Sequence, residues 1–320
     1  NLDGEPRYAE QLTAIGVEVV HHPFVRSVRA LIAERGPTLD AIMFCRYYIA
    51  SQYVHTVRKL APKAKIIFDT VDLHFVREER EAQLTGNAAL LRAAASTRAR
   101  ELAVIARSDV TIVVSKFEQE WLARLQPQAR VEVVSNIHQP KKLDTSHESR
   151  AGLLFVGGFR HPPNVDAVRW YAAEVLPLIR QLLPGVVTTI VGSNMPDEIR
   201  QLEQEGLTIL GYVEDTAPLL RAARVSIAPL RFGAGVKGKV NEAMNHGIPV
   251  VATTCAVEGM NLRNGEDVLI ADDPAAFAAA VARVYHDADL WQKLALAGID
   301  NVQQHFSPES AAPAIEAVFG

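Results

Sequence analysis

The feature that most limits what this chain can become is a rhythm repeated along its length, in which short β-branched runs alternate with longer stretches of helical periodicity. Parallel strands cannot be joined by a tight turn and need a crossover of a dozen residues or more, usually a helix. The alternation therefore specifies an α/β fold of parallel sheets built from βαβ units. Two series can be separated. In the first, the predicted strands are Val17–Val20, Ala41–Phe44, Lys65–Phe68, Val110–Val114 and Val131–Val134, and a long helical stretch from Phe75 to Arg107 is expected to break near Gly86. In the second they are Gly152–Val156, Val186–Val191, Thr208–Leu210, Val225–Ala228 and Pro249–Ala252, enough for a doubly wound domain. Between them Gln139–Arg150, with Pro140, Lys141, Lys142 and Asp144, reads as a linker, giving domains over residues 1–143 and 144–320. Pro274–Phe319 is Ala-rich and helical, with Phe277, Val281, Val284 and Tyr285 on one apolar face, and its end near 304–320 is expected to reach back to the first domain. Asn1–Gln11 contains no strand, whereas a full doubly wound half opens with one. The first domain is thus expected to lack its leading βα unit or to be small.

The 320 residues, 48% of them hydrophobic and 22% charged, can bury the cores of two domains. A net charge of -4 offers no global attraction to nucleic acid, so no nucleic-acid partner is expected and any anion site must be local. Cys45 and Cys255 are far apart and lack the pairing of a zinc or redox motif, which reads as two reduced thiols in a cytoplasmic protein. There is no apolar run of about 20 residues and no basic-then-apolar start, so neither a membrane span nor secretion is expected. Arg92–Arg107, with Leu90, Leu91, Leu102 and Ile105, leaves open a peripheral contact at the inner face of a membrane, beside the commoner reading of a packed helix with a solvated basic face.

Chemistry concentrates in VSIAPLRFGAGVKGKVNEAMNHGIPVVATT, which starts at Val225. The order is strand, loop with Gly233, Gly235 and Gly238, helix, and next strand. Glycines let the backbone approach an anion, and the free N–H groups and dipole at a helix start favour negative charge. Lys237 and Lys239 stand at that helix start, where acidic side chains are the ordinary choice, so a bound diphosphate would offset their repulsion. The same glycines spell G-x-G-x-x-G with Glu258 about 20 residues on, but a dinucleotide fingerprint belongs to the first βα unit of a domain, and this loop follows the fourth strand. Glu242, one turn past Lys239, can accept two hydrogen bonds from a ribose diol or pair as a surface residue with Lys237 or Lys239. Asp69, Asp72 and His74 follow a predicted strand, where open sheets bind ligands. They read either as catalytic groups or as a strand-end cap, and Arg46 has a similar position.

The stretch GAGVKGKVNEAMNHGIPVVAT resembles the donor-binding motif of group 1 (family 4) glycosyltransferases, which have the GT-B fold of two Rossmann-like domains facing each other across a cleft. FVGGFRHPPNVDAVRWY, VTIVVSKFEQEWL and VEVVSNIH resemble further strands and turns of that family, so the likeness extends over most of the chain. It implies a C-terminal domain that holds a nucleotide sugar and an N-terminal domain that holds a saccharide, lipid-linked or other hydroxyl acceptor. By the same resemblance Glu242 matches the second glutamate of an E-x7-E motif that binds ribose, Lys237 or Lys239 a lysine at the diphosphate, and Gly157–Gly158 the loop beside the phosphates. The first glutamate of that motif is replaced by Ala234. The arginine expected after the first loop glycine is Gly158, leaving Arg160 or Arg231 to supply that charge. The histidine after the third strand is displaced to His74 in IIFDTVDLH. G-A-G-x-K-x-K-V together with D-x-x-D-L-H is similar to a branch found in bacterial polysaccharide enzymes.

The resemblance implies a retaining transfer that needs neither metal nor cofactor. The leaving diphosphate would be stabilised by Lys237, Lys239 and Arg160 or Arg231, and the acceptor oriented by His74 or Asp72. Asp272–Asp273 precede Pro274 and read as a helix start instead of a metal pair. Two other functions fit the same cradle: a GT-B nucleotide-sugar epimerase and a non-catalytic nucleotide-sugar-binding module.

Overall fold

The computed structural model of the chain describes residues 6–320. Its first sheet has four parallel strands, β1 (Ala41–Cys45), β2 (Lys65–Asp69), β3 (Val110–Val113) and β4 (Val131–Val133), in that order. The second has six: β5 (Leu153–Val156), β6 (Thr188–Val191), β7 (Leu207–Gly211), β8 (Val225–Ala228), β9 (Val250–Ala252) and β10 (Leu269–Ile270). Their order is β10-β9-β8-β5-β6-β7, again all parallel. The winding reverses between β5 and β8, and ligands of open α/β sheets bind outside the carboxyl ends of strands at such a point. Helices cover both faces, so β3, β8 and β9 are buried at every position, which explains why they are mostly apolar, with Thr111 and Ser226 the polar exceptions.

Nine of the ten predicted strands are present with ends shifted by a residue or two, and β10, only two residues long, was beyond the periodicity. The exception is Val17–Val20, which forms no strand. Its β-branched composition suits a strand, yet the segment does not pair with the free edge of β1. Val17 stays exposed, and Glu18 forms a bidentate pair with Arg35 at 2.6 and 2.7 Å instead. The expectation that the chain opens without a strand falls partly on residues 1–5, outside the described ones; Pro6–Ala14 is helical.

The long helical stretch breaks where glycine allows it. His74–Thr85 ends on Gly86 in the left-handed conformation at φ 64°, and the Asn87 side chain caps Ala88–Ile105 by accepting from Ala89 and Leu90 N–H at 2.9 and 3.2 Å. On the second helix Ile105 is buried, and Arg98 and Arg100 lie over the rings of Phe75 and Tyr47, while Leu91 and Arg92 are exposed. No helix among the described residues is long and apolar enough to cross a membrane.

The C-terminal stretch divides into Pro274–His286, Ala288–His305 and Pro308–Phe319. Asp273 caps the first by accepting from Ala276 N–H at 2.9 Å, while Asp272 takes the N–H and hydroxyl of Thr254. The last helix lies on the first sheet: Val318 is buried with Ile67, Val110 and Ile112, and Arg130 donates to the Ala317 carbonyl at 2.6 Å. Residues 139–150 contain neither helix nor strand, and they are pinned to the second sheet's side. Asn245 exchanges hydrogen bonds with Gln139 and Lys141, and the buried Arg150 guanidinium donates to the carbonyls of Leu220, Ala223 and His246.

Candidate active site

The carboxyl ends of the two sheets face each other across a cleft of about 390 Å³. The first sheet's side supplies Arg46, Tyr48, Asp72, His74 and Arg77, and the second supplies Arg160, His161, Asn164 and the loop from Ala234 to Lys239. The two walls touch. A Cβ on Gly235 would stand 3.0 Å from Asp72 Cβ and 3.3 Å from Val114 Cγ2, and the backbone there has φ 68°. Arg80 spans the domains as well, donating to the Gly233 carbonyl at 2.7 Å and to both oxygens of Glu258 at 2.8 and 2.9 Å. Glu258 is thereby committed to an ion pair between the domains.

One wall is cationic. The helix Gly238–Asn245 begins after Lys237 without any side-chain cap, so its first N–H groups open toward the cleft that Gly238 and Lys239 line. Lys237 Nζ is buried and donates to the Gly235 carbonyl at 2.6 Å. Lys239 Nζ donates to Asn164 Oδ1 and sits 4.1 Å from the centre of the Phe155 ring. Among the described residues no carboxylate lies within ion-pair distance of either ammonium. Burial lowers the pKa of Lys237, and burial together with the charge of Lys237 pushes Lys239 down to about 7. Two unpaired cations at one helix N-terminus are an anion site by elementary electrostatics.

The glycine loop after β5 supports that wall. A Cβ on Gly157 would meet Asn164 and Lys239 Nζ at 2.9 Å, and Asn164 Nδ2 holds the Gly158 carbonyl at 2.7 Å. Gly157 thus adjoins the anion site through Lys239, whereas Gly158 and Gly233 lie beside the cleft without lining it. Arg160 lines it and is exposed; Arg231 does not, because its guanidinium is paired in bidentate fashion with Asp166. Glu242 lies one turn deeper along the helix, away from both lysines. Its partners are His138 at 3.3 Å, His246 at 3.1 Å and Lys141 at 4.0 Å, and the hydrogen bonds from His138 and His246 hold its pKa far below the usual carboxylate range. It is therefore ionised and pairs with none of the lysines first considered for it.

The opposite wall carries the acid and the histidine. Asp72 is the only carboxylate lining the cleft among the described residues, and it pairs with Arg77 and with His74 Nδ1 at 3.2 Å. Asp69, by contrast, is the strand-end cap, accepting from Val71 N–H at 2.9 Å. Arg46 and Val71, at the ends of β1 and β2, have φ of 72° and 65°, and Val71 is β-branched, so backbone strain is concentrated at this rim. Burial disfavours a charged His74, but the hydrogen bond to Glu101 and the charges of Asp72 and Glu101 prevail and raise its pKa. His161 goes the other way: burial and the Arg77 charge take it down to about 4, so it is neutral at physiological pH. Sequence reasoning did not single out Arg77, His161 or Asn164. Ala234, at the place of the motif glutamate, is buried in the hydrophobic cluster of the first domain.

Residues 150–287 match the family model described as "Glycosyl transferases group 1". The chain is 25% identical over 180 residues, 53% of its own length and 46% of the relative's, to an uncharacterised 44.6 kDa protein in the cps region of Klebsiella pneumoniae. It is 29% identical over 160 residues, 48% of the chain and 42% of the relative, to a phosphatidyl-myo-inositol mannosyltransferase of Mycobacterium leprae. The chain thus spans about half the length of the curated relatives it matches. In fold it is similar to HepE of Anabaena, solved in complex with UDP and glucose, with a TM-score of 0.73 and 15% identity over 99% of this chain and 89% of that one. The expected pair of parallel-sheet domains in a GT-B arrangement is what the structure contains.

Proposed function

We propose that this chain, whose residues 150–287 match the group 1 glycosyltransferase model, moves a sugar from a nucleotide-sugar donor to an acceptor hydroxyl in the interdomain cleft. The observation that carries this reading is the pair of unpaired ammonium groups, Lys237 and Lys239, at an uncapped helix start facing Asp72 and His74. A diphosphate fits the cationic wall, Glu242 lies one turn on for the ribose, and the sugar then extends toward the opposite wall. The complex of HepE with UDP and glucose supports a uridine diphosphate sugar as the first donor to test.

In the reaction the bond from the anomeric carbon to the diphosphate oxygen breaks while the acceptor oxygen bonds to that carbon. The leaving charge falls on Lys237, Lys239, Arg160 and the helix N-terminus, fixed in place before the reaction and needing no metal. His74 and Asp72 orient the acceptor hydroxyl, whose proton passes to the departing diphosphate in a transfer that retains anomeric configuration. The mannosyltransferase relative supports a saccharide or lipid-linked acceptor in bacterial glycoconjugate synthesis, the latter reached at the inner face of a membrane.

The test is binding and turnover together. At a hundred times its dissociation constant UDP stabilises the fold by about 2.7 kcal/mol, which a thermal shift reads. Glu242→Ala and Lys239→Ala should each weaken UDP at least tenfold in calorimetry. Wild-type affinity in both variants sinks the assignment, and epimer formation from a UDP-sugar without acceptor would replace transfer by epimerisation.

A further inference from the structure

Two glutamates are buried behind the acid wall of the cleft, and neither reaches it. Glu118, on the helix Lys116–Leu125, accepts from the backbone N–H of Leu73 at 3.1 Å and of Val114 at 3.2 Å and touches no side chain of the cleft. Glu101, on Ala88–Ile105, accepts from the N–H of His74 at 3.4 Å and of Phe75 at 3.2 Å, and its Oε1 also stands 3.5 Å from His74 Nδ1. Capping a helix start requires only a short polar side chain at the N-cap, where this chain has Leu73 without a side-chain bond. A carboxylate with no exposed surface is a costly substitute for a serine unless its charge is used.

We propose that Glu101 is the positioning residue of the site: it fixes the proton of His74 on Nδ1 and so makes Nε2 the nitrogen that meets a substrate hydroxyl. Nδ1 has three oxygens around it, the Asp72 carbonyl at 3.0 Å, Asp72 Oδ1 at 3.2 Å and Glu101 Oε1 at 3.5 Å. A nitrogen facing three acceptors carries the hydrogen in either protonation state of the ring. Nε2 has no partner within the protein among the described residues, and His74 lines the cleft. The ring cannot swing away, since Tyr47 and Tyr48 meet it edge-on with centroids 5.2 and 6.0 Å distant. The charges facing it are Asp72 and Arg77 from its own segment, Arg46 from the end of β1 and Glu101 from the neighbouring helix, with Lys237 and Lys239 across the cleft. Burial raises the pKa of Glu101, and the hydrogen bond and charge of His74 oppose that shift, so the two groups hold each other's charge. Glu101 therefore sets both the tautomer and the pH at which the ring gains its proton.

This inference rests on the transferase reading only for the identity of the hydroxyl, so its test begins with a measurement that needs no activity. In histidine-labelled wild-type protein, with the His74 signal assigned through His74→Phe, the nitrogen shifts above the ring's pKa should report Nδ1–H and a bare Nε2; the reverse tautomer overturns the proposal. Glu101→Gln, which keeps the size and one acceptor oxygen, should lower the His74 titration by about one pH unit. It should shift the acidic limb of the rate profile equally and reduce kcat about tenfold, leaving the UDP dissociation constant within twofold. Glu118→Gln, equally buried but out of reach of the ring, should leave the His74 titration in place. An unchanged titration in Glu101→Gln, or an equal change in both variants, overturns the proposal. Failure of the protein to bind UDP or transfer sugar would instead remove the transferase reading and leave the tautomer result standing.

Discussion

Binding of a diphosphate to the cationic wall should draw a proton from solvent, and the size of the effect follows from where Lys239 sits. Its ammonium is pushed down to about 7 by burial and by Lys237 beside it. A diphosphate in contact removes the reason for the shift and returns the group toward its ordinary value of about 10.4. The bound state then keeps a proton that the free state has largely lost above neutrality. Affinity should fall as pH rises, approaching tenfold per unit, or roughly fiftyfold (about 2.3 kcal/mol) between pH 7 and pH 9. The diphosphate changes its charge little across this range, since a phosphate's second pKa lies near 6, and the slope lost in a Lys239 variant separates the protein's part from that of the uracil ring, which begins to ionise toward pH 9. Calorimetry of UDP binding at pH 8 in buffers of different ionisation enthalpy should give an uptake of about 0.9 proton, with Lys237, also lowered by burial, adding to it in the same direction. Lys239→Met should bind more weakly at pH 7 and lose most of the slope. A flat affinity from pH 7 to 9 without buffer dependence would mean that the diphosphate does not lie against Lys239.

Gly235→Ala should destabilise the protein by about 1–3 kcal/mol and weaken UDP, because the residue has φ 68° and a new Cβ would stand 3.0 Å from Asp72 Cβ; a melting temperature and affinity both equal to wild type would show that the walls do not meet there. Glu118 is raised to about 7, mainly by burial, so the folded state binds its proton more tightly than the unfolded chain and stability declines as pH rises from about 4.5 to 7. Glu118→Gln should therefore gain on wild type by up to about 3 kcal/mol across that window in urea unfolding, and a constant difference would contradict the shift.

What could be read from the amino-acid order was the chemistry packed into single βα units. Gly233, Gly235, Lys237, Lys239 and Glu242 occupy one loop and one helix, so their spacing alone places them together at the end of β8, and the short β-branched runs of β3, β8 and β9 gave away buried parallel strands. The residues that were not legible act across sequence. Asn164 meets Lys239 over a separation of 75 residues and Arg80 meets Glu258 over 178, and nothing local marks any of them. The same holds for Arg231, whose position in the glycine loop suggested the phosphates but whose charge is spent on Asp166. Val17–Val20 failed for the complementary reason, since composition can favour a strand but does not decide whether it pairs with the free edge of β1.

The most instructive case is Ala234. A missing carboxylate suggested a weakened sugar site, but the structure gives the substitution a packing role: the methyl group is buried in the cluster of the first domain, beside Gly235 against Asp72. A glutamate there would have to turn out of the apolar cluster into the cleft that Ala234 also lines, or bury its charge at a cost of several kcal/mol. The only carboxylate lining the cleft among the described residues comes instead from the other domain, as Asp72 held by Arg77. The acid in this cleft therefore belongs to the wall that carries His74, and any contact it makes to a donor held on the opposite wall depends on the two domains being together, a condition that Arg80 favours by bonding both Gly233 and Glu258.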